Sequence, residues 1–240
     1  MSYFEHPSYV PLLRSAYQLW DELSSQRGEQ LFHRTGLIYF GTPDSIVVNG
    51  IKASAREHDL AIETLEATEA ARRYPAYVAP EGATTLHERD AGYLRVEDCV
   101  RAHIAEALAA GAEHRHGETI LSWSAIDAGV TVTTDRGKYE AAKLVITAGC
   151  WTRDLLANLN IPLRVLRKHQ HWYSIDEHRF REASGCPSFF FEFDGGLFYG
   201  FPDIDGGGLK VAARNRWGTP LLIKGSALKR LHVVFSLQRK

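Results

Sequence analysis

Between Thr119 and Thr147 three β-patterned stretches follow one another with almost nothing between them. Thr119 to Asp127 is the first, Gly129 to Thr134 the second and Tyr139 to Thr147 the third, with Asp135-Arg136-Gly137 as a tight turn. Connections this short join antiparallel neighbours, because parallel strands need a crossover of about a dozen residues or more. A clean βαβ repeat is therefore excluded. Val130 and Val132 alternate with threonines, as on a half-buried strand. Leu144-Val145-Ile146 is apolar on both faces and predicts a strand covered from both sides.

The flanks mix helix and strand. Tyr9, Val10, Leu12, Leu13, Ala16, Tyr17, Trp20 and Leu23 recur at helical spacing, with Ser8 placed to cap the start and Gly28 to end it. Leu37-Ile38-Tyr39-Phe40 lies between glycines as a short buried strand. Residues 45–58 read as a helix, and Thr68 to Tyr74 as a shorter one stopped by Pro75. A helix from Val96 shows Val96, Cys99, Val100, Ile104 and Leu108 on one face and closes at Gly111. Ala148-Gly149-Cys150-Trp151 turns into a short helix through Leu156. After Pro162 the pattern is β at about 164–174, 188–193, 196–200 and 208–213. Asp194-Gly195-Gly196 and Asp205-Gly206-Gly207-Gly208 form the turns. The class is α+β (α/β) around a mixed sheet, with any two subdomains interleaved rather than sequential.

Bulk properties remove several functions. With 240 residues and 45% hydrophobic content the chain can bury a core. A net charge of -1 and a pI near 6.8 argue against nucleic acid or an acidic membrane as the main partner. Cys99, Cys150 and Cys186 are widely spaced and odd in number, which speaks against a disulfide framework and fits a reducing compartment. No apolar run reaches the ~18 residues of a membrane span, and the start has no signal-peptide pattern. A cytoplasmic location is the expectation. Residues 215–240 carry six Lys/Arg and no Asp or Glu. A solvated basic helix is one reading of that tail, and a segment read in a shifted frame is the other.

Signals of chemistry are sparse. The sequence has no G-x-G-x-x-G and no Walker-type loop, and Gly206-Gly207-Gly208 sits between strands as a turn. His114-x-His116 and His169-x-His171 could each offer two imidazoles, but no cluster at ligand spacing accompanies either, so surface or packed histidines fit better. Lys143 to Thr152 ends an apolar run in small residues that would let a flat group or another chain approach. Gly208-Leu209-Lys210-Val211 places a lysine inside an apolar strand, where a buried ammonium needs a task or a partner. An edge lysine facing water is the plainer alternative.

Taken in order, these stretches resemble the monomeric sarcosine oxidase, N-methyltryptophan oxidase and pipecolate oxidase family. The matching segments are Tyr9-Val10-Pro11-Leu12 with Tyr17-Gln18-Leu19-Trp20, Thr35-Gly36-Leu37, Gly92-Tyr93-Leu94 with Cys99, and Val145 to Trp151. Tyr199-Gly200-Phe201-Pro202 and Gly208-Leu209-Lys210 complete the set, so the likeness covers about residues 2–214.

The resemblance implies a partial FAD-binding domain over 1–29 and 93–162, interleaved with a mixed-sheet substrate domain over 30–92 and 163–214, and an atypical tail over 215–240. It implies FAD-dependent oxidation of a secondary amine such as sarcosine or another N-methyl amino acid, with O2 giving H2O2. Lys210 and Tyr199 fall on its catalytic positions. Phe190, Tyr199 and Arg214 fall on its substrate pocket, and Thr119, Ile120, Ala148, Gly149 and Trp151 on its cofactor side. Metal is not expected. Arg214 stands where the family has a histidine, and Phe190 where some relatives have a methionine. None of the three cysteines takes the place of the family's flavin-linking cysteine. The family's G-x-G-x-x-G turn has no counterpart, as if synthesis began at an internal methionine, and the chain alone is expected to bind little FAD and to be inactive. A separate N-terminal FAD-binding piece is then a possible partner. A non-catalytic remnant or small-molecule-binding module is the alternative reading.

Overall fold

The computed structural model describes residues 6–193 and 196–213 in full, and 227–239 as backbone. The chain divides into two compact units, one of residues 1–103 with 169–232 and one of 104–168 with 233–240.

In the larger unit the amphipathic pattern near the start forms α1 (Tyr9–Arg27), closed by Gly28 in the left-handed region at φ 62°. Ser8 does not cap it. Its backbone is already helical, and its hydroxyl is taken by His6 Nδ1 at 2.8 Å. The two-residue strand β1 (Phe32–His33) leads to β2 (Leu37–Gly41) and α2 (Ile46–His58). Ser45 caps α2, its side chain accepting from the Val48 N–H at 2.9 Å. β3 (Ile62–Leu65), α3 (Ala67–Arg73), β4 (Thr84–Glu88) and β5 (Tyr93–Leu94) follow. α4 (Val96–Ala109) then begins. Only part of its expected apolar face is buried. Cys99 and Ala102 are covered, packing with Leu23 and Leu31, whereas Val96, Val100 and Leu108 are exposed. Heptad-like spacing locates such a helix but does not choose among apolar residues that lie on adjoining stripes.

After the second unit's segments the chain returns through β9 (Leu163–Ser174), β10 (Ser188–Phe193), β11 (Gly196–Phe201) and β12 (Leu209–Ala213). β13 (Ala227–Arg239) is an extended strand, not the basic helix that its composition allowed. The turn residues Asp194 and Gly195 lie outside the described residues. The strand order is β13-β9-β12-β11-β10-β2-β4-β3. β10 and β2 run parallel, and β9/β12, β12/β11, β11/β10, β2/β4 and β4/β3 antiparallel, so the sheet is mixed.

Period-two alternation sorts this sheet's side chains onto two faces. Phe189 and Phe191 point one way with Ile38, Phe40, Leu209 and Val211, forming a core closed by Tyr77 and Cys186. Phe40 stacks on Phe191 at 4.4 Å. Tyr77 donates to the Pro187 carbonyl at 2.6 Å, and burial pushes the adjacent Cys186 thiol up to about 11. Phe190 points the other way with Tyr39 and Leu86, under Val47, Val48 and Ile51 of α2.

The smaller unit is built on the predicted meander. β6 (Ile120–Ile126), β7 (Gly129–Thr134) and β8 (Lys138–Ala141) form a three-stranded antiparallel sheet. The third strand stops early. Leu144, Val145 and Ile146 are not in a strand, and Val145 is 82% exposed. An all-apolar strand needs a neighbour on each side, and among the described residues none pairs with this run. A single helical turn starting at Gly149 and α5 (Thr152–Leu155) follow it.

Candidate active site

The alternation of β12 decides where its lysine goes. Leu209 and Val211 enter the core, which leaves Lys210 on the opposite face. Cross-strand register sets Lys210 against Phe201 on β11 and Trp172 on β9. The ammonium lies 4.9 Å from the Trp172 ring centre and 5.2 Å from that of Phe201. Among the described residues it makes no hydrogen bond and no ion pair. Burial pushes Lys210 below the ordinary lysine value, and the carboxylate of Glu97 partly offsets that. The edge-lysine alternative does not hold, since β12 lies inside the sheet between β9 and β11.

Tyr199 and Phe190 share this face. Tyr199 pairs with Ala212 on one side and with Phe190 on the other. Phe190 is 8% exposed, with its ring 6.3 Å from Tyr39. Tyr39 donates to Glu88 Oε2 at 3.3 Å, and Glu88 is buried. Lys210, Tyr199 and Phe190 therefore stand on one surface, while Arg214 lies outside the described residues. Trp172, Phe201, Tyr39 and Glu88 join it without having been singled out. Alternation in His169-Gln170-His171-Trp172-Tyr173 hints at Trp172, but only register brings it beside Lys210.

In the smaller unit a cavity of about 280 Å³ opens between the sheet and the segment after it, lined by Ile120, Trp123, Val132, Leu155 and residues 144–148. Trp123 is fixed there by its indole N–H, which donates to the Leu155 carbonyl at 2.7 Å. Two of the five expected cofactor residues, Ile120 and Ala148, line this cavity. Thr119 has its backbone engaged with Asp135, donating to Oδ1 and accepting from the N–H, each at 3.0 Å. Gly149 has φ 55° at the start of the helical turn, and Trp151 is 70% exposed.

The FAD dependent oxidoreductase family, DAO, matches residues 1–227, further than the 2–214 spanned by the resembling segments. The chain belongs to this family. N-methyl-L-tryptophan oxidases of Yersinia pestis (strain Pestoides F) and Yersinia pseudotuberculosis are each 37% identical over 202 residues, covering 84% of this chain and 54% of theirs. The chain thus spans about half the length of these curated relatives. Among solved structures a variant of NikD, described as an unusual amino acid oxidase essential for nikkomycin biosynthesis, matches with a TM-score of 0.79 at 22% identity, over 99% of this chain and 69% of that one. Glycine oxidase from Geobacillus kaustophilus matches with 0.73 at 18% identity, over 97% and 68%. Both support the mixed α/β fold of the DAO family.

FAD is the cofactor of this family. The smaller unit's cavity suits a flat apolar ring system, since its walls carry no charged side chain. For the same reason its lining offers no cation to a diphosphate, and the sequence has no G-x-G-x-x-G turn of the kind that cradles one. The lining of this cavity has room for a flat ring and holds no charged group for the diphosphate. No helix among them is long and apolar enough to cross a membrane.

Proposed function

We propose that the chain serves FAD-dependent oxidation of a secondary-amine amino acid, sarcosine or another N-methyl amino acid, with O2 as oxidant and H2O2 as product. The observation that carries this reading is the Lys210 ammonium held between Trp172 and Phe201, with no hydrogen bond or ion pair among the described residues. FAD, when bound, supplies the two-electron acceptor for the amine. The lysine supplies a fixed positive charge in a partly desolvated place, where it stabilises negative charge that develops beside it. Burial lowers the proton affinity of Lys210 below the ordinary lysine value, and Glu97 partly offsets that. Tyr199 offers a phenol two residues from Phe201 on the same face, suited to orient a polar substrate group. Phe190 supplies apolar wall beneath it. Arg214 is the proposed partner of a substrate carboxylate, and Thr119, Ile120, Ala148, Gly149 and Trp151 are the proposed cofactor side. The division into a cofactor part over 1–29 and 93–162 and a substrate part over 30–92 and 163–214 belongs to the same proposal. The N-methyl-L-tryptophan oxidases among the relatives support the substrate class.

The test is H2O2 formation from N-methyl-L-tryptophan and sarcosine by the protein supplied with FAD. Product that requires both amine and FAD is the expected result. No product with either amine, from protein shown to hold the flavin, contradicts the reading. One observation favours a second reading, a binding module without turnover: the described cavity has no group for a diphosphate. Thermal stabilisation by an N-methyl amino acid in the absence of flavin supports that alternative.

A further inference from the structure

We propose that Tyr93 is a positioning residue for Lys210, acting through the ring of Phe201. The inference rests on the reading of Lys210 as the working cation. A lysine side chain has about 2 kcal/mol of rotamer entropy to lose when its ammonium is held in one place. A carboxylate could hold it, but would also cancel much of its charge. Aromatic faces attract a cation while carrying no net charge. Lys210 has two of them, so what fixes those rings fixes the charge.

Phe201 is braced from behind. Tyr93 meets it edge-to-face, with ring centres 6.3 Å apart and planes at 78°. Tyr93 is itself clamped. His33 stacks on it at 4.9 Å with planes 5° apart, and its hydroxyl donates to Glu182 Oε2 at 3.0 Å. Burial and that carboxylate raise the phenol above its ordinary value, so Tyr93 is a neutral donor. It is 7% exposed. The pairing of β1 with β5 brings Gly92 so close to the His33 carbonyl that a side chain there would collide. Arg95 ties the same segment to Asp205 in the turn between β11 and β12. The result is a continuous contact series, His33, Tyr93, Phe201, Lys210 and Trp172, running from the two-stranded sheet to the reactive face.

The experiment is NMR on the full chain with ¹³C at the lysine ε carbons. The rings of Trp172 and Phe201 should shift the Lys210 ε-methylene signals upfield of ordinary lysines. Tyr93→Ala, which removes nothing that touches Lys210, is expected to move those signals back by several tenths of a ppm. Tyr93→Phe keeps the ring and is expected to restore most of the shift. Folded Tyr93→Ala protein with Lys210 signals in the wild-type position overturns the proposal. Should Tyr93→Ala fail to fold, nuclear Overhauser contacts in the unaltered protein decide: Tyr93 ring to Phe201 ring and Phe201 ring to the Lys210 ε-methylene are expected, and the lack of either overturns it. Failure of the functional reading is a separate event, seen as unchanged H2O2 formation by Lys210→Met while the Lys210 signals of the protein that keeps the lysine still respond to Tyr93→Ala.

Discussion

The two units treat similar apolar sequence in opposite ways. In the larger one Ile38, Phe40, Leu86 and Val211 are almost wholly buried, and each face of the sheet has its own cluster. In the smaller one Ile120, Leu121, Val145 and Trp151 are half-exposed or more, around an apolar cavity. Both contain β-patterned runs of branched and aromatic residues. The difference is whether covering elements lie among the described residues. α2 covers one face of the larger sheet, and α3 with the segment around Tyr77 packs on the other, while the three-stranded sheet has only the segment around α5 against it among the described residues. Pattern records what a segment is able to bury, and burial itself needs a second surface. The larger unit accordingly carries the ordered, partly desolvated charge, and the smaller a cavity with room for a flat group.

Substitutions should separate the units most sharply at their aromatic and β-branched residues. Phe40→Ala is expected to cost the larger unit about 3–5 kcal/mol, read by denaturant unfolding. Val145→Ala in the smaller unit should stay within about 0.5 kcal/mol of the parent. Equal costs would erase the contrast. Glycines at close approaches come next. A Cβ on Gly200 would meet the Lys210 carbonyl and the Phe189 ring, and one on Gly129 the Ala141 carbonyl. Each change to Ala should cost about 1–3 kcal/mol in its own unit, and Gly200→Ala should also disturb the Lys210 signals. Removing the indole donor with Trp123→Phe should cost the smaller unit about 1 kcal/mol, the worth of an ordinary hydrogen bond, and leave the larger unchanged.

The smallest expected effect is one of pH. Burial, partly opposed by Glu63, lowers His87 below the ordinary histidine value, and its ring lies 2.9 Å from the Tyr74 hydroxyl. The unfolded chain therefore binds the proton more readily. The stabilisation is complete above about pH 6.5 and is lost as pH falls through the lower folded-state value. A shallow decline of the larger unit's melting temperature on acidification is expected, flattened in His87→Gln. A decline as steep in that variant would assign it elsewhere.

Much of the larger unit is legible in the sequence because its alternation is strict. Leu209 and Val211 inward with Lys210 outward follows from period two alone, and so does the split of Phe189, Phe190 and Phe191. What could not be read is register. Trp172 and Phe201 are 38 and 9 residues from Lys210 along the chain, and only the pairing of β9, β12 and β11 makes them its walls. Tyr93 is more remote still, since its role depends on a two-residue strand. Ser8 and part of the α4 face failed for local reasons, a competing His6 ring and adjoining apolar stripes. Leu144–Ile146 failed for lack of a neighbouring strand among the described residues.

Comparing H2O2 formation by Lys210→Met and Lys210→Arg with the parent, each supplied with FAD and an N-methyl amino acid, tests the account most directly. Loss of the lysine charge is expected to lower the rate by about 10²–10³-fold, the scale of a lost electrostatic stabiliser, with Arg retaining part of it. A parent rate kept in Lys210→Met would contradict the assignment of the charge between Trp172 and Phe201 as the working group.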